Sequence, residues 1–426
     1  MQKKTKDLPS IVIATDVRFW HGGTGAERRI LTMVQYLERY GFNTTTIFVA
    51  PLRLGSFHAT EERQAIREQG LRVYSLIEDW QPNGLLNKLI YKIQCVANLF
   101  KIKPAKNVGS SKPSSGSCYL KDFENPLMKF RFHEMLKRFR PDIVLCQYVT
   151  MSFLVGESKQ DQPAWVVDTH DCLSSRYEQF RQRGLDHWIR ISQQEELDAI
   201  NKFDLAIAIQ AEEAETFQSA GQDREGFPNV IVAGHPSQTD QPSSVKQTLT
   251  AKFDLGYFGS DNPSNLDAVE WFLKEVWPNV LSRRPKTSLL IAGTICRVIP
   301  EQLQSTDGVV FQSEVDSLSK LYHSFAVAVN PVRFGTGLKI KNQEALAYGK
   351  PLVVTPVGAE GMIPAEVGQP YFVANTTEQM TAAVLNLLEN KKDLMQSAQS
   401  ALEYARRQLS ADSIYGDLVQ KLIEAK

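Results

Sequence analysis

Cysteine is scarce in this 426-residue chain: Cys95, Cys118, Cys146, Cys172 and Cys296 are scattered, with no Cys-x-x-Cys pair. An odd, dispersed set argues against a disulfide framework or a thiolate zinc site and reads as the reduced thiols of a cytoplasmic protein. Long apolar runs are missing as well. No stretch approaches the ~20 residues that span a bilayer. The opening MQKKTKDLPSIVIATDV is charged and then a short apolar strand, without the longer apolar core and small-residue cleavage site of a secretory leader. Net charge is absent too: Lys+Arg and Asp+Glu number 48 each, so no global field calls for nucleic acid or an acidic partner. What is present, 42% apolar and 23% charged residues, is the balance of a globular protein with length for two or three domains.

Two α/β units can be read along the chain. The first opens with an apolar strand over 11–14, passes through His21-Gly22-Gly23-Thr24-Gly25, and enters a helix whose stripe is Ile30, Leu31, Val34 and Leu37, ended by Gly41. Further strands are expected at 44–50, 143–147, 165–168, 205–209 and 229–232. Short apolar runs separated by helices imply a parallel sheet covered on both faces. A Pro-, Ser- and Gln-rich stretch, GHPSQTDQPSSVKQTLTAK, reads as a linker and places the boundaries at 1–240, 241–252 and 253–408, with a last segment 409–426. The second unit opens at 255–260. It continues with a helix over 266–277, strands at 288–292, 309–312 and 326–331, and helices near 315–324, 377–389, 391–409 and 411–424. Residues 101–117 are low-complexity and read as a mobile loop. The helical stripe just before them (Leu85, Leu86, Leu89, Ile90, Ile93, Val96, Phe100), with Lys88 and Lys92, fits either an anionic membrane surface or packing on the sheet.

The segment NPVRFGTGLKIKNQEALAYGKPLVVTPVGAEGM, residues 330–362, carries the most chemistry. Gly335 and Gly337 let backbone N–H groups approach an anion, and the helix that follows adds its positive end. Lys339 and Lys341 bring full positive charge to a first turn where helices ordinarily prefer acids, a placement a bound anion would offset. Glu344, three residues beyond Lys341, shares a helix face with it and can accept from the vicinal hydroxyls of a ribose or hexose. The pattern reads as a cradle for a sugar-nucleotide diphosphate, set against an ordinary strand–helix–strand unit with solvated lysines. Elsewhere, Trp165-Val166-Val167-Asp168-Thr169-His170-Asp171 runs a strand straight into His and Asp, where open α/β sheets place their sites. The Gly23 loop is not a convincing dinucleotide fingerprint, because its sixth position is Arg28 and no acid follows the next strand.

The 330–362 segment resembles the nucleotide-sugar core of retaining GT-B-fold glycosyltransferases of the family-four (group 1) type, whose signature is G-x-G-x-[KR]-x-K-x-x-E-A-x-A-x-G-x-P-x-V-x-T. Gly335, Gly337, Lys339, Lys341, Glu344, Ala345, Ala347, Gly349, Pro351, Val353 and Thr355 match it in order. The resemblance is dense over 258–361, thin before Trp165, and gives no match over 53–126. It implies two Rossmann-like domains facing each other across a cleft, with the last helix crossing back to the first domain. It implies donor diphosphate contacts from Gly335, Gly337, Lys339, Lys341 and Arg333, and nucleotide contacts from Gly259, Ser260, Val315 and Glu344. His170 and Asp171, with Glu344, would serve catalysis, and Gly22, Gly23 and Gly25 would line the first domain's side of the cleft. One departure stands out: many relatives carry a Glu at the position of Thr336.

The function so implied is transfer of a sugar from a nucleotide-activated donor to a hydroxyl acceptor (a glycan, a lipid-linked sugar or a protein), with retention. The nucleotide sugar is a co-substrate and no other cofactor is expected. Asp-x-Asp occurs nowhere in the chain, so a paired-carboxylate metal seat is not expected, and protein cations and a helix end would stabilise the leaving group. The expected setting is the cytoplasm, with peripheral contact at the inner face of the membrane if the 85–106 stretch serves that role. A nucleotide-sugar epimerase of the same fold, or a catalytically silent nucleotide-sugar-binding partner protein, remain as alternatives.

Overall fold

A computed structural model describes residues 8–49, 60–80, 117–156, 163–237, 243–365 and 367–425. The basic amphipathic stretch and nearly all of the low-complexity loop lie outside these residues. The first unit contains β1 (Ser10–Thr15), β2 (Asn43–Phe48), β3 (Val73–Ser75), β4 (Cys118–Tyr119), β5 (Ile143–Gln147), β6 (Ala164–Asp168), β7 (Ile189–Arg190), β8 (Leu205–Ala208) and β9 (Asn229–Val232). The second contains β10 (Phe253–Phe258), β11 (Leu289–Ala292), β12 (Val309–Gln312), β13 (Phe325–Asn330), β14 (Leu352–Val354) and β15 (Tyr371–Val373). Seven strands form one parallel sheet in the order β3-β2-β1-β5-β6-β8-β9, and six form another in the order β12-β11-β10-β13-β14-β15. The remaining pair, β4 and β7, is a two-stranded ribbon.

In each large sheet the strand order reverses beside the first strand, between β1 and β5 and between β10 and β13. Loops at such a reversal diverge to opposite faces and leave a crevice beyond the carboxyl ends of the strands. Both crevices open onto the same interdomain cleft, so topology alone brings the loops after β1, β5, β6, β10 and β13 together. The glycine-rich loop after β1 turns through Gly22 at φ 64° and enters the helix Gly25–Tyr40. Thr24 caps that helix: its hydroxyl accepts from the Glu27 amide, and Glu27 accepts from the Thr24 amide in return.

The helix Gly25–Tyr40 and the final helix Ala411–Glu424 cover the same face of the first sheet. Ile30, Val34 and Leu37 pack with Ile414, Tyr415, Leu418 and Leu422 over Ile11 and Ile13. The Tyr36 hydroxyl donates to Asp412 at 2.9 Å. The last helix therefore does cross back, as the resemblance implied. Beyond the expected elements the chain forms β3, β4, β7 and β15, each only two or three residues long, and extends the helix predicted over 266–277. That helix begins at Pro263, capped by Asn262, passes a wide turn at Phe272–Val276 and continues through Trp277–Arg283. Among the described residues no helix is long and apolar enough to cross a membrane.

One buried ion pair fixes the edge of the cleft. Arg29 and Asp168 are both fully buried, and the guanidinium grips the carboxylate with Nε at 3.0–3.2 Å and Nη2 at 2.7 Å. Its remaining hydrogens go to the carbonyls of Gly234 at 2.6 Å and Ala233 at 2.8 Å. Arg29 thus joins the first helix, the end of β6 and the chain leaving β9. Replacing it with Met leaves Asp168 charged and unpaired in the interior, which costs about 3–5 kcal/mol. Urea unfolding of Arg29→Met is expected to show a loss of that size, with partial recovery in the Arg29→Met/Asp168→Asn double variant. An unchanged midpoint would mean that the pair is not what holds these three segments.

Candidate active site in the interdomain cleft

The cleft holds a cavity of about 540 Å3 whose walls come from both units. On the second unit's side lie Gly259 and Ser260 after β10, Gly293 after β11, Val315 after β12, and the Gly335–Lys341 loop after β13. Gly335 and Gly337 take φ of 109° and 79°, conformations that L side chains rarely adopt. Gly337 has a second constraint. A Cβ there would sit 3.3 Å from Asp171 Oδ1 of the first unit, so the bare backbone is what lets the two walls meet.

Lys339 stands at the start of the helix Ile340–Ala347 and Lys341 in its first turn, with no acid in that turn. Lys339 Nζ reaches the Gly335 carbonyl at 3.2 Å and Glu360 at 3.3 Å. Burial lowers its pKa, and Glu360 opposes the shift. Lys341 differs. Its Nζ donates to two neutral oxygens, Tyr257 Oη at 3.0 Å and Asn265 Oδ1 at 2.8 Å, and lies over the Tyr257 ring at 4.5 Å. Among the described residues no carboxylate pairs with it. Burial first, and then the Lys339 charge, push its pKa down to about 7, with Glu344 acting against them. The Lys341 amine thus lies desolvated beside glycines of positive φ and a helix N-terminus, surroundings in which proteins commonly bind anions.

The first unit's wall is built at the ends of β5 and β6. Tyr148 and His170 both adopt positive φ, 71° and 63°, and their rings stack at 4.1 Å with an interplanar angle of 11°. Such non-glycine conformations cost about 1–3 kcal/mol each and persist where the surroundings over-determine them. His170 Nε2 lies 2.7 Å from Gln147 Oε1, which accepts its hydrogen and leaves Nδ1 with the lone pair. Burial lowers the His170 pKa to about 4 despite Asp168, so the ring is neutral near neutral pH. Asp171 accepts from Arg176 Nη1 at 2.6 Å through Oδ2, while its buried Oδ1 has no donor among the described residues. Glu196 holds the turn from behind, accepting the amides of Leu173 at 2.8 Å and Ser174 at 2.9 Å.

Gly23 and Gly25 line this cavity, and a Cβ on Gly25 would meet Ile340 at 3.3 Å. Gly22 and Glu344 face instead a second cavity of about 1010 Å3. Arg28 stands between the two and lines both. Its Nε lies 2.7 Å from Glu344 Oε1, and Tyr322 donates to Oε2 at 2.8 Å. Burial raises the Glu344 pKa and Arg28 opposes that rise. Arg333 does not reach the cleft. Its guanidinium grips Asp267 at 2.6 and 2.9 Å and lies over Trp271, because Val332 and Phe334 on either side turn inward. Sequence reasoning also missed Gln179, whose Oε1 accepts the Gly335 amide at 2.8 Å across the cleft. Arg28 had left a trace: it is the residue that broke the dinucleotide pattern.

Two Rossmann-like sheets, a shared cleft and a returning last helix define the GT-B fold. Residues 252–390, roughly a third of the chain, match the family described as Glycosyl transferases group 1. A variant of S. aureus TarM in complex with fondaparinux, α-GlcNAc-glycerol and UDP superposes with a TM-score of 0.68 at 13% identity, covering 97% of this chain and 99% of that one. Anabaena HepE in complex with UDP and glucose gives 0.60 at 13% identity over 97% and 99%. The pneumococcal O-GlcNAc transferase GtfA in complex with UDP and GlcNAc gives 0.63 at 11% identity over 98% and 99%. A Klebsiella pneumoniae "uncharacterized 44.6 kDa protein in cps region" is 24% identical over 167 residues, 37% of this chain and 43% of that protein. The chain thus matches less than half the length of that curated relative.

The lowered pKa of Lys341 has a measurable consequence. An anion beside it raises that pKa, so loading the site above about pH 7 takes up a proton, and affinity falls as pH rises through 7. Calorimetry of UDP binding at pH 8, in buffers of different ionisation heat, is expected to show net proton uptake. In Lys341→Arg, which stays charged, that uptake should disappear. Wild-type binding without proton uptake would place the anion elsewhere.

Proposed function

We propose that this protein transfers a sugar from a nucleoside-diphosphate donor to a hydroxyl acceptor, with retention at the anomeric carbon and with protein cations rather than a bound metal on the leaving group. The observation that carries this reading is Lys341, which lines the cavity with Gly335 and Gly337 and whose Nζ has only neutral acceptors among the described residues. The group 1 match over 252–390 supports it, as does the presence of UDP in complexes of three structures of similar fold.

In the reaction the bond from the anomeric carbon to the β-phosphate oxygen breaks and a bond to the acceptor oxygen forms. Negative charge gathers on the departing diphosphate, where Lys341, Lys339 and the helix N-terminus at Ile340 stabilise it. Retention brings the acceptor to the leaving-group side of the sugar, so a departing phosphate oxygen is the nearest base for the acceptor's proton. His170, neutral with Nδ1 carrying the lone pair, accepts from a donor-sugar hydroxyl, and Asp171 Oδ1 accepts from a second, non-reacting hydroxyl of the acceptor. Glu344 holds the ribose hydroxyls once Arg28 yields it. Gly259, Ser260 and Val315 line the cavity wall that this reading assigns to the base.

The test is turnover of a panel of UDP, GDP, ADP, TDP and CMP sugars. Nucleotide release that depends on added acceptor marks transfer, release without one marks hydrolysis, and a changed donor sugar without release marks an epimerase. Activity should survive excess EDTA, and strict dependence on Mn2+ would overturn the cation scheme. Lys341→Ala should weaken nucleotide binding by about 1.5–3 kcal/mol, the worth of a charge-assisted contact. His170→Ala should lower kcat while leaving nucleotide affinity nearly intact, because its contact matters most in the transition state. Full kcat in that variant would make the His-Asp turn structural, whereas nucleotide binding without turnover of any donor would favour the silent-partner reading.

A further inference from the structure

Trp188 is 44% exposed and lines the catalytic cavity. Most large aromatic rings of this chain are buried, and an indole left open on a cleft wall invites a ligand. The ring is nevertheless fixed. Phe123 meets it edge-on at 6.3 Å and 78°, and His187 lies against it at 5.7 Å. His187 is itself tied to the Ile189 carbonyl at 2.8 Å. The Trp188 carbonyl accepts the Cys118 amide at 3.0 Å, which starts the β4–β7 ribbon. Side chains alternate along that ribbon: Ile189 is buried, while Trp188 and Arg190 are exposed. Tyr119, the register partner of Arg190, is 42% exposed and does not line the cavity, so it continues the same face outward. Lys121 Nζ lies 5.4 Å from the Tyr119 ring.

We infer that this ribbon face is the acceptor platform, and that its occupant is an oligosaccharide of at least two sugar units. The inference rests on the glycosyl-transfer reading and names the acceptor class for it. A pyranose carries an apolar face of C–H bonds and a rim of hydroxyls. An open indole covers the first, and nearby Arg, Lys and Tyr hydrogens answer the second. A unit stacked on Trp188 lies on the same cavity wall as Asp171, and the next unit reaches Tyr119. A lipid chain would call for a continuous apolar groove, whereas this face alternates aromatic and cationic side chains.

The experiment oxidises the full-length protein with N-bromosuccinimide and locates modified tryptophans by mass spectrometry, with and without a panel of defined oligosaccharides built from glucose, galactose, mannose, GlcNAc and GalNAc. One or more oligosaccharides should protect Trp188, their component monosaccharides should not, and nucleotide should be unnecessary. In the transfer assay Trp188→Ala should raise the acceptor KM about tenfold or more with nucleotide affinity unchanged, and Trp188→Phe should recover most of it. The proposal is overturned if no member of the panel protects Trp188, or if Trp188→Ala keeps its acceptor KM. A protein or lipid alcohol used as acceptor with no dependence on Trp188 also overturns it. Protection without any nucleotide-sugar turnover would keep the platform and reject the transfer reading instead.

Discussion

The Arg29–Asp168 pair is the contact on which the cleft depends. It ties a helix, a strand end and the start of the connector at the point where β6 gives way to the His170 turn. Burial would expel either charge alone. Together, with two backbone carbonyls taking the spare hydrogens, they are satisfied. The strained backbone of His170, two residues further on, needs such a fixed origin, and Glu196 supplies the other anchor beyond it. The Tyr148 and His170 rings stack at this turn.

Electrostatics divides the cleft unevenly. Acids at the cleft and just behind it are engaged: Asp171 by Arg176, Glu344 by Arg28 and Tyr322, Glu360 by Lys339. Lys341 alone among these groups has only neutral acceptors among the described residues. The local field is therefore positive beside Lys341, although the whole chain is neutral. The Gly335 amide meanwhile donates to Gln179 of the opposite unit.

How much of this could be read from sequence follows the range of the physics. The shape of the Gly335–Lys341 loop was legible because backbone with positive φ demands glycine and because lysines opening a helix are out of place there. The His-Asp turn was legible because an apolar strand announces where its carboxyl end must be. The returning last helix came from resemblance, not from any local signal. Strands β3, β4, β7 and β15 carry too few residues to show a period. Arg333 was misassigned because nearness in sequence does not say which side of the chain a residue faces. The alternation of Val332, Arg333 and Phe334 turns it outward. Arg28 with Glu344, Gln179 with Gly335, and the setting of Trp188 depend on residues brought together only by the fold.

The docking of Ala411–Glu424 onto the first sheet has an effect on how the protein is made. Ile11 and Ile13 have a core that is completed by Ile414, Leu418 and Leu422, which the chain reaches only after the whole second unit. During synthesis the first unit stands with one face of its sheet only partly covered while the whole second unit is translated and folds. Its apolar surface is open for most of that time, so a chain stalled anywhere before Ala411 leaves a first unit that cannot close. The first unit to begin is thus the second to be finished, closed by a helix that lies beyond its neighbour in the sequence.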